Sequence, residues 1–312
     1  MASLPGIHHV TAISNDAQRN VDHYVGVLGL RLVKKTVNFD DPGSYHLYYG
    51  DELGRPGSAM TFFVWPGAPR GRAGTGQVGS TAFAVPSGSL NWWADRLQRA
   101  GVRVQGPTER LDDQVLAFED PDGIGLELVA PAEPDPRVPW LDGLVPPEHA
   151  IRGFHSVTLS LAGQEESARL LTDTLGFQPV AADGPRARFA TGEAGGVVDL
   201  LAQPDLPVGD TAPGTVHHVA WRTPDDPSQL EWRQTVARAG YDVTPVLDRQ
   251  YFHSIYFREP GGVLFEIATD VPGFTFDEPA DHLGEALRLP PRLEPLRPEL
   301  EQRLPPFTVP AR

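Results

Sequence analysis

The chain repeats itself twice, with two different periods. His8-His9-Val10-Thr11 matches His155-Ser156-Val157-Thr158 at a spacing of 147 residues, and Leu28-Gly29-Leu30 matches Leu175-Gly176-Phe177 at the same spacing. Phe118-Glu119-Asp120-Pro121-Asp122-Gly123 matches Phe257-Arg258-Glu259-Pro260-Gly261-Gly262 at a spacing of 139. Glu127 with Glu266 and Ala100-Gly101 with Ala239-Gly240 share that second spacing. Chance explains poorly why independent anchors share an offset. The chain therefore reads as four modules, the first repeated as the third and the second as the fourth.

Within the first module the pattern is β-α-β-β-β. Ile7 to Ser14 reads as a strand, and Asn15 or Asp16 can cap a helix that buries Val21, Tyr24 and Leu28 and ends at Gly29. Leu30 to Phe39, Tyr45 to Tyr49 and Met60 to Trp65 follow as strands. The second module restarts with a strand from Val78 to Val85 and a helix from Leu90 to Ala100. Strands from Val102 to Gly106, Gln114 to Glu119 and Ile124 to Val129 complete it. Pro131 to Pro147 is rich in proline and acidic residues, as linkers are. The expected division is a domain over 1–133, a linker over 134–150, a domain over 151–275 and a Pro-rich tail over 276–312.

Composition narrows the chemistry. The chain has no cysteine, which excludes disulfides, thiolate nucleophiles and Cys-ligated metals. A formal net charge of −15 disfavours nucleic acid and anionic membranes as partners. No run approaches the ~18 apolar residues of a membrane span, and Met1 to Pro5 has no signal-peptide character. A cytoplasmic location is the expectation; homo-oligomerisation is left open.

The residues with metal chemistry stand on strand-like runs. They are the pair His8-His9, the pair His217-His218 in Thr215-Val216-His217-His218-Val219-Ala220, and Glu266 in Gly262-Val263-Leu264-Phe265-Glu266-Ile267. Two histidines and a carboxylate on separate strands suit the facial triad of non-haem Fe(II) oxygenases. The alternative is a set of core or surface histidines with Glu266 paired to an arginine. An apolar strand cannot bury an unpaired carboxylate without a cation. At the matching module positions stand Ser156, Gly79 and Glu127, so one such site is expected, joining module one to module four, with His155 and Glu127 structural.

Four β-α-β-β-β modules, with these histidines near first strands and the glutamate in a last strand, resemble the vicinal oxygen chelate superfamily of glyoxalase I and the extradiol dioxygenases. Within it the chain is similar to ring-cleaving dioxygenases that act on hydroquinones. The resemblance implies an α+β fold in which the four modules form two domains with half-open β-barrels. It selects His9 and His218, each directly before a branched apolar residue, as metal ligands with Glu266. It implies Fe(2+), with Mn(2+) as the other ion, and a small aromatic diol and O₂ as substrates. Glyoxalase I has a fourth ligand, expected here near Met60-Thr61-Phe62-Phe63, where no carboxylate stands. Arg249, Tyr256, His217, His8 and Thr11 are the residues expected beside the metal. Strand alternation turns His8 and His217 away from the face of His9 and His218, so they need a local twist to reach it. Phe252 and His253 are candidates for substrate contact, whereas Trp92, Trp93 and Trp232 read as helix packing and Asp120 and Glu259 as turn residues. A glyoxalase-like lyase or isomerase and a non-catalytic binder of aromatic compounds are the rival functions.

Overall fold

The computed structural model describes residues 3–192 and 194–311. Module one comprises β1 (Ile7–Ser14), α1 (Ala17–Val21), β2 (Arg31–Val37), β3 (Tyr45–Gly50) and β4 (Ala59–Val64). Module two comprises β5 (Gln77–Ala84), α2 (Leu90–Arg99), β6 (Val104–Arg110), β7 (Asp113–Glu119) and β8 (Gly125–Ala130). Module three has β9 (Gly153–Leu161), α3 (Glu165–Arg169), β10 (Gln178–Asp183), β11 (Arg186–Ala190) and β12 (Val197–Ala202). Module four has β13 (Val216–Thr223), α4 (Asp226–Arg238), β14 (Leu247–Asp248), β15 (Phe252–Arg258) and β16 (Leu264–Pro272).

These strands form two curled eight-stranded sheets of an α+β fold. One has the order β14-β15-β16-β13-β1-β4-β3-β2 and the other β10-β11-β12-β9-β5-β8-β7-β6. Modules four and one thus share a sheet, and modules three and two share the other. The seam is antiparallel in both, β1 on β13 and β5 on β9. Within each module the first strand runs parallel to the last, as β1 does to β4 and β13 to β16.

The helices pack their apolar faces on the sheets. Val21, Tyr24 and Leu28 are buried, as are Leu90, Trp93 and Leu97. Asp16 caps α1 by accepting from the Arg19 N–H at 2.8 Å. The helix then widens into a π turn, where Leu28 N donates to His23 O at 2.9 Å. The same turn recurs 147 residues later, Leu175 N to Leu170 O at 3.1 Å. Gly29 (φ 72°) and its copy Gly176 (φ 79°) end these helices in a left-handed conformation that needs no Cβ. One hydrophobic core runs across both sheets, through residues such as Phe83, Phe154, Trp221 and Phe265. Each such side chain stabilises the fold by about 1.5–3 kcal/mol.

One segment departs from the sequence-based expectation. β6 continues through Pro107 to Arg110 instead of stopping at Gly106. It is an edge strand, and its register on β7 skips from Gln105 to Thr108, so Pro107 is not required to donate to the ladder. The Pro-rich tail packs closely on module one. Arg288 N donates to Lys35 O at 2.9 Å, and Leu289, Leu293, Leu300 and Leu304 are buried. The fully buried Lys34 anchors this segment through Asp277 (2.6 Å) and Glu278. Among the described residues, no helix is long and apolar enough to cross a membrane.

Candidate metal centre and its cavity

β1, β13 and β16 lie side by side, and this brings His9, His218 and Glu266 together. Their donor atoms lie within 4.8 Å of one another, and all three residues are buried. His218 Nε2 is 2.9 Å and His9 Nε2 3.4 Å from Glu266 Oε2, and the two imidazole nitrogens are 3.3 Å apart. Glu266 is 0% exposed; Ser254 donates to its Oε1, while its Oε2 makes no hydrogen bond. Burial pushes the Glu266 carboxyl up, but the neighbouring His9 and His218 outweigh this and hold it well below the usual range. A buried carboxylate with one unsatisfied oxygen facing two imidazole nitrogens is the environment a divalent cation fits.

Register shifts solve the orientation problem posed by strand alternation. Ile7 pairs with Trp221 and His9 with Ala220, so His8 is an extra residue on β1. Thr11 pairs with His218 and Ala12 with Val216, so His217 is an extra residue on β13. Such bulges re-aim side chains. In both pairs the rings meet edge to face with centroids 5.1 Å apart, at 82° and 81°. His8 Nδ1 is 2.9 Å from His9 Nδ1, and His217 Nδ1 is 2.8 Å from His218 Nδ1.

The hydrogen bonds assign the protons around His9. His8 Nε2 lies 3.1 Å from the Thr269 carbonyl, which only accepts, so His8 carries its proton there. Burial, then the adjacent His9, lowers the His8 pKa to about 3, so it is neutral and its Nδ1 accepts from His9 Nδ1–H. In the form that takes up a cation, His9 Nε2 is then the bare lone pair beside Glu266. For His218 to present the same bare Nε2, its Nδ1–H donates to His217, which then carries its own proton on Nε2. Burial, then His218, lowers His217 to about 3 as well.

The centre lies at the wall of a cavity of about 310 Å³. Phe39, Phe63, Trp65, Phe252 and Leu264 line it, with the polar groups of Asn38, Asp40, His46, Tyr48, His217, Arg249 and Tyr256. Arg249 Nε donates to the Tyr256 hydroxyl at 3.3 Å and its Nη1 to Asp40 at 3.0 Å. Burial and the charge of Glu266 raise the Tyr256 pKa, so its own proton stays available to a ligand. Of the expected neighbours, Arg249, Tyr256 and His217 line this cavity. His8 and Thr11 do not: His8 lies behind His9, and Thr11 bonds the Thr61 hydroxyl at 2.8 Å. Phe252 packs on His9 with ring centroids 4.9 Å apart and tilted by 36°, but His253 turns away to Asp226. Trp93 packs under its helix and donates to His149 O, and Asp120 and Glu259 accept backbone N–H groups of their own turns.

His46, Tyr48 and Thr61 complete the polar side of the site. Thr11 pairs with Thr61 as Ala220 pairs with Glu266, so Thr61 occupies the place of a fourth ligand. Tyr48 pairs with Thr61 as Tyr256 pairs with Glu266. The Thr61 hydroxyl is held by Thr11 and by His46 Nε2 (2.9 Å), and His46 Nδ1 meets the Tyr48 hydroxyl at 2.9 Å. Comparing module one with module four, and not only with module three, is the signal that finds them.

The other sheet has the same frame with arginine in place of a cation site. Ser156 and Ser80 stand where His9 and His218 stand. Ser80, not the expected Gly79, fills that place, because Thr158 pairs with Ser80 as Thr11 pairs with His218. Glu127 meets Arg110 in two bonds of 3.0 and 2.5 Å. Asp199, in the place of Thr61, is held by Arg188 at 2.7 Å and Arg186 at 2.8 Å.

Comparison with known proteins agrees with this architecture. A family model described as Glyoxalase/Bleomycin resistance protein/Dioxygenase superfamily matches residues 6–128 and 153–267. A Bacillus subtilis (strain 168) protein named "Putative ring-cleaving dioxygenase MhqO" is 48% identical over 305 residues, 97% of either chain. A chlorohydroquinone/hydroquinone 1,2-dioxygenase of Sphingobium indicum is 39% identical over 312 residues, 96% of this chain and 97% of that one. The crystal structure of a "putative dioxygenase" from Bacillus subtilis subsp. subtilis str. 168 superposes with a TM-score of 0.96 at 47% identity, covering 100% of both chains. With four modules in two sheets and both halves matched, the chain belongs to the glyoxalase/bleomycin resistance protein/dioxygenase superfamily, the vicinal oxygen chelate fold that its repeats and histidine pairs resemble.

Proposed function

We propose that the chain is a ring-cleaving dioxygenase of extradiol type, dependent on Fe(II), that opens hydroquinone-like aromatic diols with O₂. The observation that carries this reading is the convergence of His9, His218 and Glu266 on one point, with the Glu266 Oε2 unsatisfied, at the wall of an aromatic-lined cavity. The names of the similar proteins supply the reaction class. In this reading the three residues hold the metal, and Thr61 in the fourth place leaves it open. A lyase or isomerase of the glyoxalase kind would call for a carboxylate there.

Bound iron would supply the redox couple that O₂ chemistry requires and the open positions at which O₂ and ring meet. The protein's own groups do the rest. Phe63, Phe252 and Trp65 flank a flat ring. Arg249 and the Tyr256 hydroxyl stabilise negative charge on a deprotonated diol oxygen. His217 offers a proton from Nε2 at the cavity wall. The Tyr48–His46–Thr61–Thr11 chain keeps the opposite polar wall fixed. A para-diol cannot chelate a metal through two adjacent oxygens, so its ring has to be held by the protein, and this cavity has the groups for it. The net reaction breaks the bond between the hydroxyl-bearing carbon and its neighbour. Each carbon takes one oxygen atom, giving a carboxylate and an aldehyde.

The test is anaerobic purification and metal analysis, followed by O₂ uptake with hydroquinone and with catechol. About one iron per chain, one O₂ per hydroquinone and a higher kcat/KM for hydroquinone are expected. Turnover of neither diol by iron-loaded protein would overturn the dioxygenase reading; a catechol preference would overturn the para-diol reading alone.

A further inference from the structure

A second cavity, of about 280 Å³, lies on the other side of His217. It shares Trp65, His217, His218 and Leu264 with the first, so the two adjoin beside His218. Its own wall comes from the start of β5, from Thr211 and from Arg258 at the end of β15. The character changes completely across His217. The first cavity is aromatic and holds Asp40; among the described residues lining the second there is no carboxylate.

Apart from the Thr211 hydroxyl, which donates or accepts, the polar side chains of the second cavity offer donors. Arg258 is exposed and spends Nη1 on the Gly262 carbonyl at 2.8 Å, which leaves further N–H groups of the guanidinium fork for a ligand. Gln77 is 6% exposed, its Oε1 accepts from Gly74 N at 3.2 Å, and its Nε2 has no hydrogen-bond partner. A buried amide donor without a partner is destabilising, and an acceptor reached by a turn of the side chain would relieve this. The proton that the His218 pairing assigns to His217 Nε2 is a third donor.

We propose that this cavity is a carboxylate-binding subsite that receives the acid end of the opened ring. The proposal rests on the ring-cleaving function above. The second hydroxyl of a diol is neutral and brings no anion to this pocket. The product does, because cleavage turns the hydroxyl-bearing carbon into a carboxylate, which ionises with release of one proton. Arginine binds a carboxylate through paired, charge-assisted hydrogen bonds that offset the anion's desolvation. Substrate and product thus occupy chemically different chambers with the metal centre between them, and the opened chain leaves through Arg258 without retracing the aromatic entrance.

The experiment is anaerobic calorimetry of metal-loaded protein titrated with cis,cis-muconate, an unsaturated diacid of product-like length. Wild type is expected to bind it, and Arg258→Gln and Gln77→Leu are each expected to weaken binding at least tenfold. Two variants keep the test decisive if one fails to fold. Binding within threefold of wild type in a folded variant of each residue overturns the proposal. So does loss of binding in Arg249→Met with none in Arg258→Gln, which places the acid in the aromatic cavity, and so does an absence of binding by wild type. Calorimetry asks nothing of turnover. Muconate held by Arg258 and Gln77 in a chain that consumes no O₂ with hydroquinone leaves the subsite standing and refutes the ring-cleaving reading. O₂ uptake with muconate binding indifferent to both variants does the reverse.

Discussion

Replacing His8 by phenylalanine tests whether the paired histidines set the metal affinity. In the native protein the Thr269 carbonyl fixes the proton of His8, and His8 in turn accepts the Nδ1 proton of His9 at 2.9 Å. Phenylalanine keeps the ring that packs on Phe252 at 5.1 Å but has no acceptor. His9 then has two options. It keeps an unpaired buried Nδ1–H, at about 1–3 kcal/mol, or it moves the proton to Nε2, where Glu266 Oε2 waits 3.4 Å away. The second option blocks the nitrogen the metal needs, and metal binding has to reverse it. Partners that orient ligating histidines are typically worth 10–100-fold in metal affinity, about 1.4–2.7 kcal/mol. Competition with a chelating dye under anaerobic conditions should show His8→Phe binding Fe(II) or Mn(II) weaker by that factor. His155→Phe, at the matching place in the other sheet, should bind as wild type does. Wild-type affinity in a folded His8→Phe protein would refute the tautomer argument.

Other perturbations separate the groups around the cavity from those of the frame. Arg249→Met and Tyr256→Phe should keep the metal yet lower turnover roughly 10²-fold, the scale of one positioned electrostatic donor; steady-state kinetics with parallel metal analysis checks this. Glu127→Ala should leave metal content alone but cost about 3 kcal/mol in urea unfolding, because it strands Arg110 in a poorly solvated place. Burial raises Asp120 to about 6 from its ordinary 3.8, so its stabilising contribution is present below about pH 4 and is lost as pH rises through 6. Asp120→Asn keeps the acceptor for the Asp122 and Ile124 N–H groups. Its stability relative to wild type should therefore rise by roughly 1–3 kcal/mol between pH 4.5 and 7.5, and a flat difference in urea unfolding would sink that account.

Much of this molecule is legible in the residue order, and the limits are physical. The four modules, the caps at Asp16 and Gly29 and the pairing of module one with module four follow from repeats and periodicity, because those signals are local. The placement of His8 and His217 is not local. Alternation turns them away from their neighbours, and only the one-residue slips between β1 and β13 bring the rings together. Thr61 is silent for a similar reason: a threonine in a strand has no signature until the register sets it opposite Thr11, in the place Glu266 holds in module four. The one-residue error at Gly79 has the same origin, since a repeat offset measured on β8 and β16 does not survive into β5 and β13. The tail shows proline and charge but not the buried Lys34 that receives it, because that contact joins residues more than two hundred positions apart.

The seam between β1 and β13 also fixes the order of events during synthesis. The sheet of modules two and three uses a contiguous stretch, Gln77 to Ala202, and has all of its strands once that stretch has left the ribosome. The sheet of modules one and four does not. β1 has no seam partner until β13 emerges some two hundred residues later, and Glu266 comes later still. At 5–20 residues per second that is a wait of about 10–50 s. During it, an apolar strand with an unpaired edge is exposed to wrong partners. His9, His218 and Glu266 therefore meet only after module four has emerged, and an ion taken up by them would be captured late instead of guiding the folding.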